Sequence, residues 1–204
     1  ISYRRFNGIN NLKISGSHQI KNLPERNVLF ISNHQTYFAD ATAIIHVLNA
    51  SINGQENSIK NILYLLKPKL NLYFIAAKET MSNGFLPRVL AYIGSIPIQR
   101  TWRESGKNLK REVNTNDISN INMALNDGWV ITFPQGTTTP WTPVRKGTAH
   151  IIMKNKPVVI PIVIDGFRRS FDKQGLFIKK RGITQTMCIK PPLKINYEKD
   201  TIKA

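Results

Sequence analysis

Three short apolar runs, at residues 28–31, 130–133 and 158–164, constrain the fold more than any other feature of the chain. Each run is too short for a helix and lacks the regular polar alternation of a strand that has one face in water. Uniformly apolar strands are typical of parallel sheets covered on both faces. The runs therefore predict an α/β fold in which helices flank the sheet.

Weaker patterns extend this prediction along the chain. The predicted strands cover residues 12–14, 27–32, 72–77, 96–99, 129–133, 158–164 and 186–195, and the predicted helices lie near residues 40–50, 87–91, 118–126 and 148–154. A length of 204 residues with 41% apolar composition suffices for one core. We expect a single domain over residues 1–204, built on a mixed, largely parallel sheet. The start at Ile1 leaves room for an upstream segment.

The charge balance suggests an anionic partner, because 29 Lys and Arg residues against 12 Asp and Glu give a formal charge of +17. Anionic lipid surfaces, phosphorylated metabolites and nucleic acid would all be attracted. No zinc-finger, helix-turn-helix or RNP-like pattern accompanies the charge, so nucleic acid is disfavoured and an anionic bilayer is preferred. No apolar run approaches the roughly 18 residues of a spanning helix. We expect a peripheral protein at the cytoplasmic face of a membrane.

The cysteine and histidine content gives no indication of a metal centre. Cys188 is the one cysteine, and no metal-ligand spacing is present. We therefore expect neither a metal nor a bound cofactor. His18, His46 and His150 have no carboxylate at an informative spacing and are interpreted as surface or core residues.

A histidine and a carboxylate follow the first buried strand, with His34 six positions before Asp40. Residues just after a parallel strand lie at the carboxyl edge of the sheet, where open α/β folds build their sites. A carboxylate that accepts a hydrogen bond from one imidazole nitrogen leaves the other nitrogen free to accept a proton. On spacing alone, two unrelated loop residues are the commoner interpretation.

Four ordered segments between Leu12 and Ile164 resemble the glycerophospholipid acyltransferase family. They are Asn33-His34 with Asp40, the block from Gly94 to Arg100, the block Phe133-Pro134-Gln135-Gly136-Thr137-Thr138, and the apolar block from Val158 to Ile162 that contains Pro161. Each segment is weak by itself. Their common order and plausible separations make coincidence improbable.

The resemblance implies transfer of an acyl chain from a thioester of coenzyme A or acyl carrier protein to a hydroxyl of a lysophospholipid or glycerol phosphate. The first expected acceptor is 1-acylglycerol-3-phosphate, which would give phosphatidic acid. His34 is then the general base and Asp40 its orienting carboxylate. Acyl carrier protein would also be a protein partner in that case.

The resemblance also implies a pocket for the acceptor phosphate, with Arg100 as the main clamp. The other residues expected to bind the acceptor are Lys78, Gln135, Gly136, Thr137, Arg145 and Lys146. Asn33, Gly94, Pro134 and Pro161 are expected to be structural residues of the motifs, Pro161 with a strand-edge or bulge role as the alternative. Backbone N–H groups near Gly136 or Gly94 are candidate donors to the tetrahedral oxyanion.

Two departures from the family pattern lead to specific expectations. The family usually has four residues between His and Asp, whereas five stand here, and on a helix six positions would turn the carboxylate about 240° away. Residues 35–38 are therefore predicted to leave helical geometry so that Asp40 can reach His34. The second departure is Gln135 and Thr138 in place of glutamate and arginine, and it bears on the acceptor head group.

Alternatives remain open at this point. One is an O-acyltransferase for a lyso-aminolipid, and another is a non-catalytic basic domain of the same fold that binds membrane or nucleic acid. Trp102, Trp129 and Trp141 are candidates either for a lipid interface or for core packing.

Overall fold

The computed structural model describes residues 2–78, 94–99, 103–104, 107–108 and 115–198. The helices in these ranges are α1 (Ser2–Phe6), α2 (Ala39–Ile52), α3 (Thr115–Asp127), α4 (Lys146–Asn155) and α5 (Phe167–Ser170). The strands are β1 (Asn11–Ser15), β2 (Val28–Ser32), β3 (Leu72–Ala77), β4 (Ser95–Ile98), β5 (Arg103–Glu104), β6 (Lys107–Asn108), β7 (Trp129–Thr132), β8 (Val158–Asp165) and β9 (Thr184–Ile189). Short 3-10 helices cover Ser17–Ile20 and Ile62–Leu66.

Within the described residues, the main sheet has seven strands in the order β1-β9-β8-β2-β7-β3-β4. The five strands from β8 to β4 run parallel to one another. β9 pairs antiparallel with β8, and β1 pairs parallel with β9. The sheet is therefore mixed and largely parallel, which confirms the predicted α/β fold class.

The runs in β2 and β7 are uniform because successive residues enter two different cores, whereas Val163 in the β8 run is 51% exposed, so both faces of that strand are not covered along its whole length. Val28 and Phe30 of β2 pack in the core that contains α2, whereas Leu29 between them packs with residues of α3 such as Ile121 and Leu125. All three β2 side chains are fully buried. Burial of each large apolar side chain contributes about 1.5–3 kcal/mol, so a polar residue on either face of β2 would be costly.

The predicted strands within the described residues are present, but the last one is too long. β9 ends at Ile189, and only isolated backbone hydrogen bonds, from Lys190 to Pro161 and from Leu193 to Val159, follow it. The two consecutive prolines at 191 and 192 lack the N–H groups that a ladder needs. The helix predicted near residues 87–91 lies outside the described residues. α1 and α5 were not predicted, because four or five residues are too few for a helical period.

Pro161 lies within β8, a strand with neighbours on both sides, where proline is uncommon. Its carbonyl accepts a hydrogen bond from the Lys190 N–H at 2.8 Å, on the side of β9. The nitrogen of Pro161 faces that same side, just beyond the point where β9 has ended at Ile189. The missing N–H therefore leaves Pro161 and Lys190 joined by one hydrogen bond instead of two, and it removes no hydrogen bond from the β2–β8 ladder on the other side.

His46 is a core residue, as one of its two interpretations proposed. It is buried on α2, with Nε2 2.9 Å from Ser2 Oγ and Nδ1 2.8 Å from the Tyr64 hydroxyl. Burial lowers the pKa of His46 to about 4. The neutral imidazole is thus the form that the folded chain accommodates.

We predict that the free energy of unfolding decreases as pH falls from about 6.5 towards 4. The pKa of His46 is lowered by folding, so its contribution is complete above the unfolded value and is lost as the unfolded chain takes up the proton. The expected loss is about 3 kcal/mol. Urea unfolding at several pH values measures it, and His46→Gln should flatten the pH dependence in this window. Equal slopes for both proteins would contradict the assignment.

Candidate active site

The predicted site residues gather at the carboxyl edge of the parallel strands. His34 follows β2, the Phe133-to-Thr138 block follows β7, and Lys78 follows β3. Because β2, β7 and β3 are adjacent and parallel, their following residues meet at one edge of the sheet.

The predicted contact between His34 and Asp40 is present. Nδ1 of His34 lies 3.0 Å from Oδ2 of Asp40, although the residues are six positions apart. Residues 33–38 are not helical, and α2 begins only at Ala39, so the chain bends between the two side chains as the spacing required. Asp40 lies in the first turn of α2, where the helix dipole favours a negative charge.

The bend is organised around the fully buried carboxylate of Asp40. The backbone N–H groups of Gln35 and Thr36 donate to Oδ2, and the Thr36 hydroxyl donates to Oδ1 at 2.7 Å. With His34, four donors surround one carboxylate. An acceptor fixed in this way requires the proton of neutral His34 to be on Nδ1, which leaves Nε2 to act as a base.

Side chains on both sides of His34 attach the loop to β8 and α5. Asn33 donates to the Ile164 carbonyl at 2.9 Å and accepts from the Ile164 N–H at 2.8 Å. The Gln35 side chain accepts from the N–H groups of Phe167 and Arg168 at the start of α5. The backbone of His34 is thus held between two fixed neighbours. The role of Gln35 was missed because an isolated glutamine in a loop carries no pattern.

The imidazole of His34 also packs against the third motif. Its ring is stacked on Phe133, with centroids 4.0 Å apart and planes inclined by 19°. The Phe133 block therefore limits the rotation of the His34 imidazole as well as lining the site.

A second loop braces the bend from outside. The N–H groups of Tyr37 and Phe38 donate to the carbonyls of Lys173 and Gln174, at 3.2 and 2.9 Å. Gly175 lies so close to the bend that a Cβ there would be 2.5 Å from the Ala39 nitrogen. The second loop thus contacts the bend between His34 and Asp40 directly.

A cavity of about 800 Å³ opens beside His34. One part is apolar and lies between the sheet and the two helices α3 and α4; its residues include Ile75, Ile98, Ile118, Ile121 and Ile151. The other part is polar and includes Gly136, Thr137, Arg145, Lys146, Gly147, Thr148 and His150. The lining of the cavity thus combines apolar side chains with cationic ones, and His34 is part of that lining.

Four of the predicted acceptor residues line this cavity: Gly136, Thr137, Arg145 and Lys146. Lys146 begins α4, so its ammonium group and the N-terminus of the helix act on the same space. Pro134 also lines it.

Two of the other predicted acceptor residues, Gln135 and Lys78, are not among the described residues that line the cavity. The Gln135 amide donates to the Thr142 carbonyl at 2.8 Å. Lys78 is half exposed, with Nζ 3.6 Å from Asp117 Oδ1. Arg100 lies outside the described residues.

The structure corrects the suggestion of oxyanion donors near Gly94, whereas the suggestion of donors near Gly136 stays a prediction. Gly94 precedes β4, at the opposite edge of the sheet from His34, and the four residues of β4 separate it by about 13 Å from the carboxyl edge. Its close neighbour is the Leu72 carbonyl at the start of β3. The N–H of Gly136 already donates to the Phe133 carbonyl at 2.9 Å.

Two cavity residues had no recognised role in the sequence. Asp117 is buried in the first turn of α3 and accepts the Gln99 N–H at 2.6 Å. His150 is an exposed residue on the cavity side of α4. Neither stands in a motif, so only the packing of α3 and α4 against the sheet reveals them.

Comparisons with known proteins identify the class to which this fold and site belong. The sequence profile of the Acyltransferase family matches residues 12–165, which include all four motifs. The chain belongs to the Acyltransferase family. A search of curated protein sequences gives no match.

The fold is similar to that of the 1-acyl-sn-glycerophosphate acyltransferase PlsC from Thermotoga maritima, with a TM-score of 0.60. The two sequences are 19% identical over 95% of this chain and 65% of the PlsC chain. The chain thus spans about two thirds of the length of that protein.

Among the described residues, no helix is long and apolar enough to cross a membrane. No group of three or more His, Cys, Asp or Glu side chains among them could hold a metal ion.

We predict that Gly175→Ala destabilises the protein more than Gly182→Ala does. Both glycines have positive φ, 78° and 69°, so alanine at either position costs about 1 kcal/mol of backbone strain. Only the new Cβ at 175 meets the bend, whereas no described atom lies within 4 Å of the one at 182. Urea unfolding should show a loss of about 3 kcal/mol for Gly175→Ala. Equal losses would show that the second loop does not brace the bend.

Proposed function

We propose that this protein is an O-acyltransferase that moves a fatty acyl chain from a thioester to a hydroxyl of a lysophospholipid or glycerol phosphate, with 1-acylglycerol-3-phosphate as the first acceptor. The observation that carries the proposal is the His34 imidazole, bonded to a buried Asp40 carboxylate, in the wall of a cavity with one apolar and one cationic part. Family membership supports the reaction class.

The chemistry follows from the position of His34. Its Nε2 removes the proton of the acceptor hydroxyl as the oxygen attacks the thioester carbonyl. Asp40 stabilises the imidazolium that forms. Collapse of the tetrahedral intermediate breaks the C–S bond, and His34 returns the proton to the departing thiolate. An ester and a free thiol result, and no covalent enzyme intermediate is required.

The cationic part of the cavity suits the acceptor phosphate. Arg145 and Lys146 supply positive charge, Thr137 supplies a hydroxyl, and the N-terminus of α4 supplies backbone N–H groups. Arg145 also donates to the Gln135 carbonyl through Nε at 3.2 Å, which orients the side chain. This set would replace the arginine that the family carries at the position of Thr138.

The donor is a thioester of coenzyme A or of acyl carrier protein. Both are anionic, and the net charge of +17 favours either one. Release of product into a bilayer implies a site of action at a membrane surface, on the cytoplasmic face where both thioesters occur. The apolar compartment between the sheet and α3 would hold the acyl chain.

We predict that His34→Ala lowers the rate of acceptor-dependent thiol release by about 10²–10⁴-fold, the contribution of a positioned general base. Purified protein is assayed with palmitoyl-CoA or palmitoyl-acyl carrier protein and 1-acylglycerol-3-phosphate. His18→Ala is the matched control, because His18 is an exposed histidine away from the cavity.

Asp40→Asn should lower the rate when introduced alone, and it should add little to His34→Ala because the two residues act together. If the rate of thiol release is unchanged in His34→Ala, His34 is not the general base. No release from the wild type with any acceptor would favour the non-catalytic alternative.

We predict that Ile118→Trp shortens the longest acyl chain that is transferred efficiently. Ile118 lines the apolar compartment, so a larger side chain there would displace the terminal methylenes. The preference for palmitoyl over octanoyl thioester should fall roughly tenfold. Met123→Trp places the same ring on the exposed face of α3 and should leave chain preference unchanged. A similar change in both variants would argue against an acyl compartment beside α3.

The position of Asp117 favours a second class of acceptor, a lyso-aminolipid. A buried carboxylate in the cavity could pair with the ammonium group of a lyso-aminolipid, in competition with Lys78. Parallel assays with lysophosphatidic acid and a lyso-aminolipid distinguish the two acceptors, since only the aminolipid should depend on the charge of Asp117.

A further inference from the structure

The loop of residues 139–144, between β7 and α4, presents a tryptophan to solvent. Trp141 is 97% exposed, and the neighbouring Val144 is 70% exposed. By contrast, Trp129 is buried and its Nε1–H donates to the Pro24 carbonyl. Trp102 lies outside the described residues. Of the two tryptophans whose surroundings are described, only Trp141 is available to a partner.

Exposure of Trp141 is imposed by the loop around it. Its φ of 59° lies in the left-handed region, which is unfavourable for a bulky side chain. Thr142 is held on both sides, because its carbonyl accepts from the Gln135 amide and its hydroxyl donates to the Thr139 carbonyl. The Arg168 guanidinium donates to the Thr138 carbonyl just before the loop. A loop fixed by so many contacts holds the indole outward rather than leaving it loose.

We propose that residues 139–144 form the surface through which this protein contacts an anionic lipid bilayer, with Trp141 and Val144 entering the interfacial region. Tryptophan suits this region because its ring is apolar while its N–H can remain hydrated. The inference rests on the proposed function in one respect, namely that the acceptor is a lipid.

The charge near the loop matches an anionic surface. No Asp or Glu occurs between Asp127 and Asp165, and the loop leads directly into Arg145 and Lys146. Apolar tips beside cations are typical of proteins that lie on anionic membranes.

The loop also adjoins the opening of the cavity. Thr137 precedes it and Arg145 and Lys146 follow it, and all three line the cavity. Lys146 is itself exposed, so this side of the cavity reaches solvent. A bilayer at the loop would therefore meet the opening, and a lipid acceptor could enter without crossing water.

The unusual Gln135 gains a physical explanation from this arrangement. Its amide N–H₂ donates to Thr142, next to Trp141. Glutamate, the residue of the resembled family, has no donor when ionised and would face a carbonyl oxygen instead. Gln135 is thus a positioning residue for the loop rather than an acceptor ligand.

A rival apolar surface lies on residues 62–70, where Leu66 and Leu70 are exposed beside Lys67 and Lys69. These residues precede β3, and the Asn53 amide just after α2 donates to the Lys67 carbonyl. They therefore lie towards the amino edge of the sheet, opposite His34. A bilayer bound there would face away from the cavity, which favours the loop of residues 139–144.

Vesicle sedimentation tests the proposal without any thioester. The full chain is mixed with vesicles of phosphatidylcholine alone, or of phosphatidylcholine with an equal amount of phosphatidylglycerol. We expect binding to the anionic vesicles and a loss of about tenfold in partitioning for Trp141→Ala, equivalent to about 1.4 kcal/mol. Leu70→Ala is the matched control on the rival surface. A greater loss for Leu70→Ala, or no loss for Trp141→Ala, overturns the proposal.

Fluorescence gives an independent measurement. The emission difference between wild type and Trp141→Phe should shift to shorter wavelength when anionic vesicles are added, and Gln135→Glu should reduce that shift. An unshifted difference would show that the indole stays in water. If vesicle binding depends on Trp141 but no thiol is released, the proposed reaction is wrong and the membrane surface stands. If acyl transfer occurs but vesicle binding does not depend on Trp141, the membrane surface is wrong and the proposed reaction stands.

Discussion

The carboxylate of Asp40 is the constraint on which the site depends. It is fully buried and accepts from His34, from two backbone N–H groups and from the Thr36 hydroxyl. A buried charge is tolerated only when it is well paired, so these donors must converge whenever the chain is folded. The same convergence ends β2, shapes the bend and begins α2. The contact between His34 and Asp40 and the local fold of the chain therefore depend on the same set of hydrogen bonds.

Much of the fold could be predicted because one sequence pattern, the short apolar run of a buried strand, occurs several times along the chain. The double burial of β2 and β7 is reflected in consecutive apolar residues, which indicates a largely parallel sheet, whereas the order of its strands could not be predicted. The wrong predictions concern features of the structure that depend on a single contact or on a single residue type. β9 stops before the two prolines at 191 and 192, and Gly94 lies at the wrong edge because motif membership does not state which end of a strand a residue occupies.

The candidate site likewise contains residues that the sequence predicts and residues that only the structure reveals. His34 and Asp40 were recognisable from residue types and order, and the need for a bend followed from helical geometry. The contributions of Gln35, Asp117 and His150 depend on which elements become neighbours across the sheet, and local sequence does not encode this. Gln135 shows the limit most clearly, since its side chain is directed to Thr142 although its motif suggested a ligand.

The loop around Gly175 has a consequence for how relationships between such proteins are judged. It lies beyond residue 165, where the family profile ends, yet its carbonyls receive the N–H groups of Tyr37 and Phe38. A fragment cut at the profile boundary would contain every recognisable motif and would lack the support for their arrangement. Residues 12–165 are thus enough to recognise the family. A longer segment is needed to hold His34 and Asp40 in their observed positions.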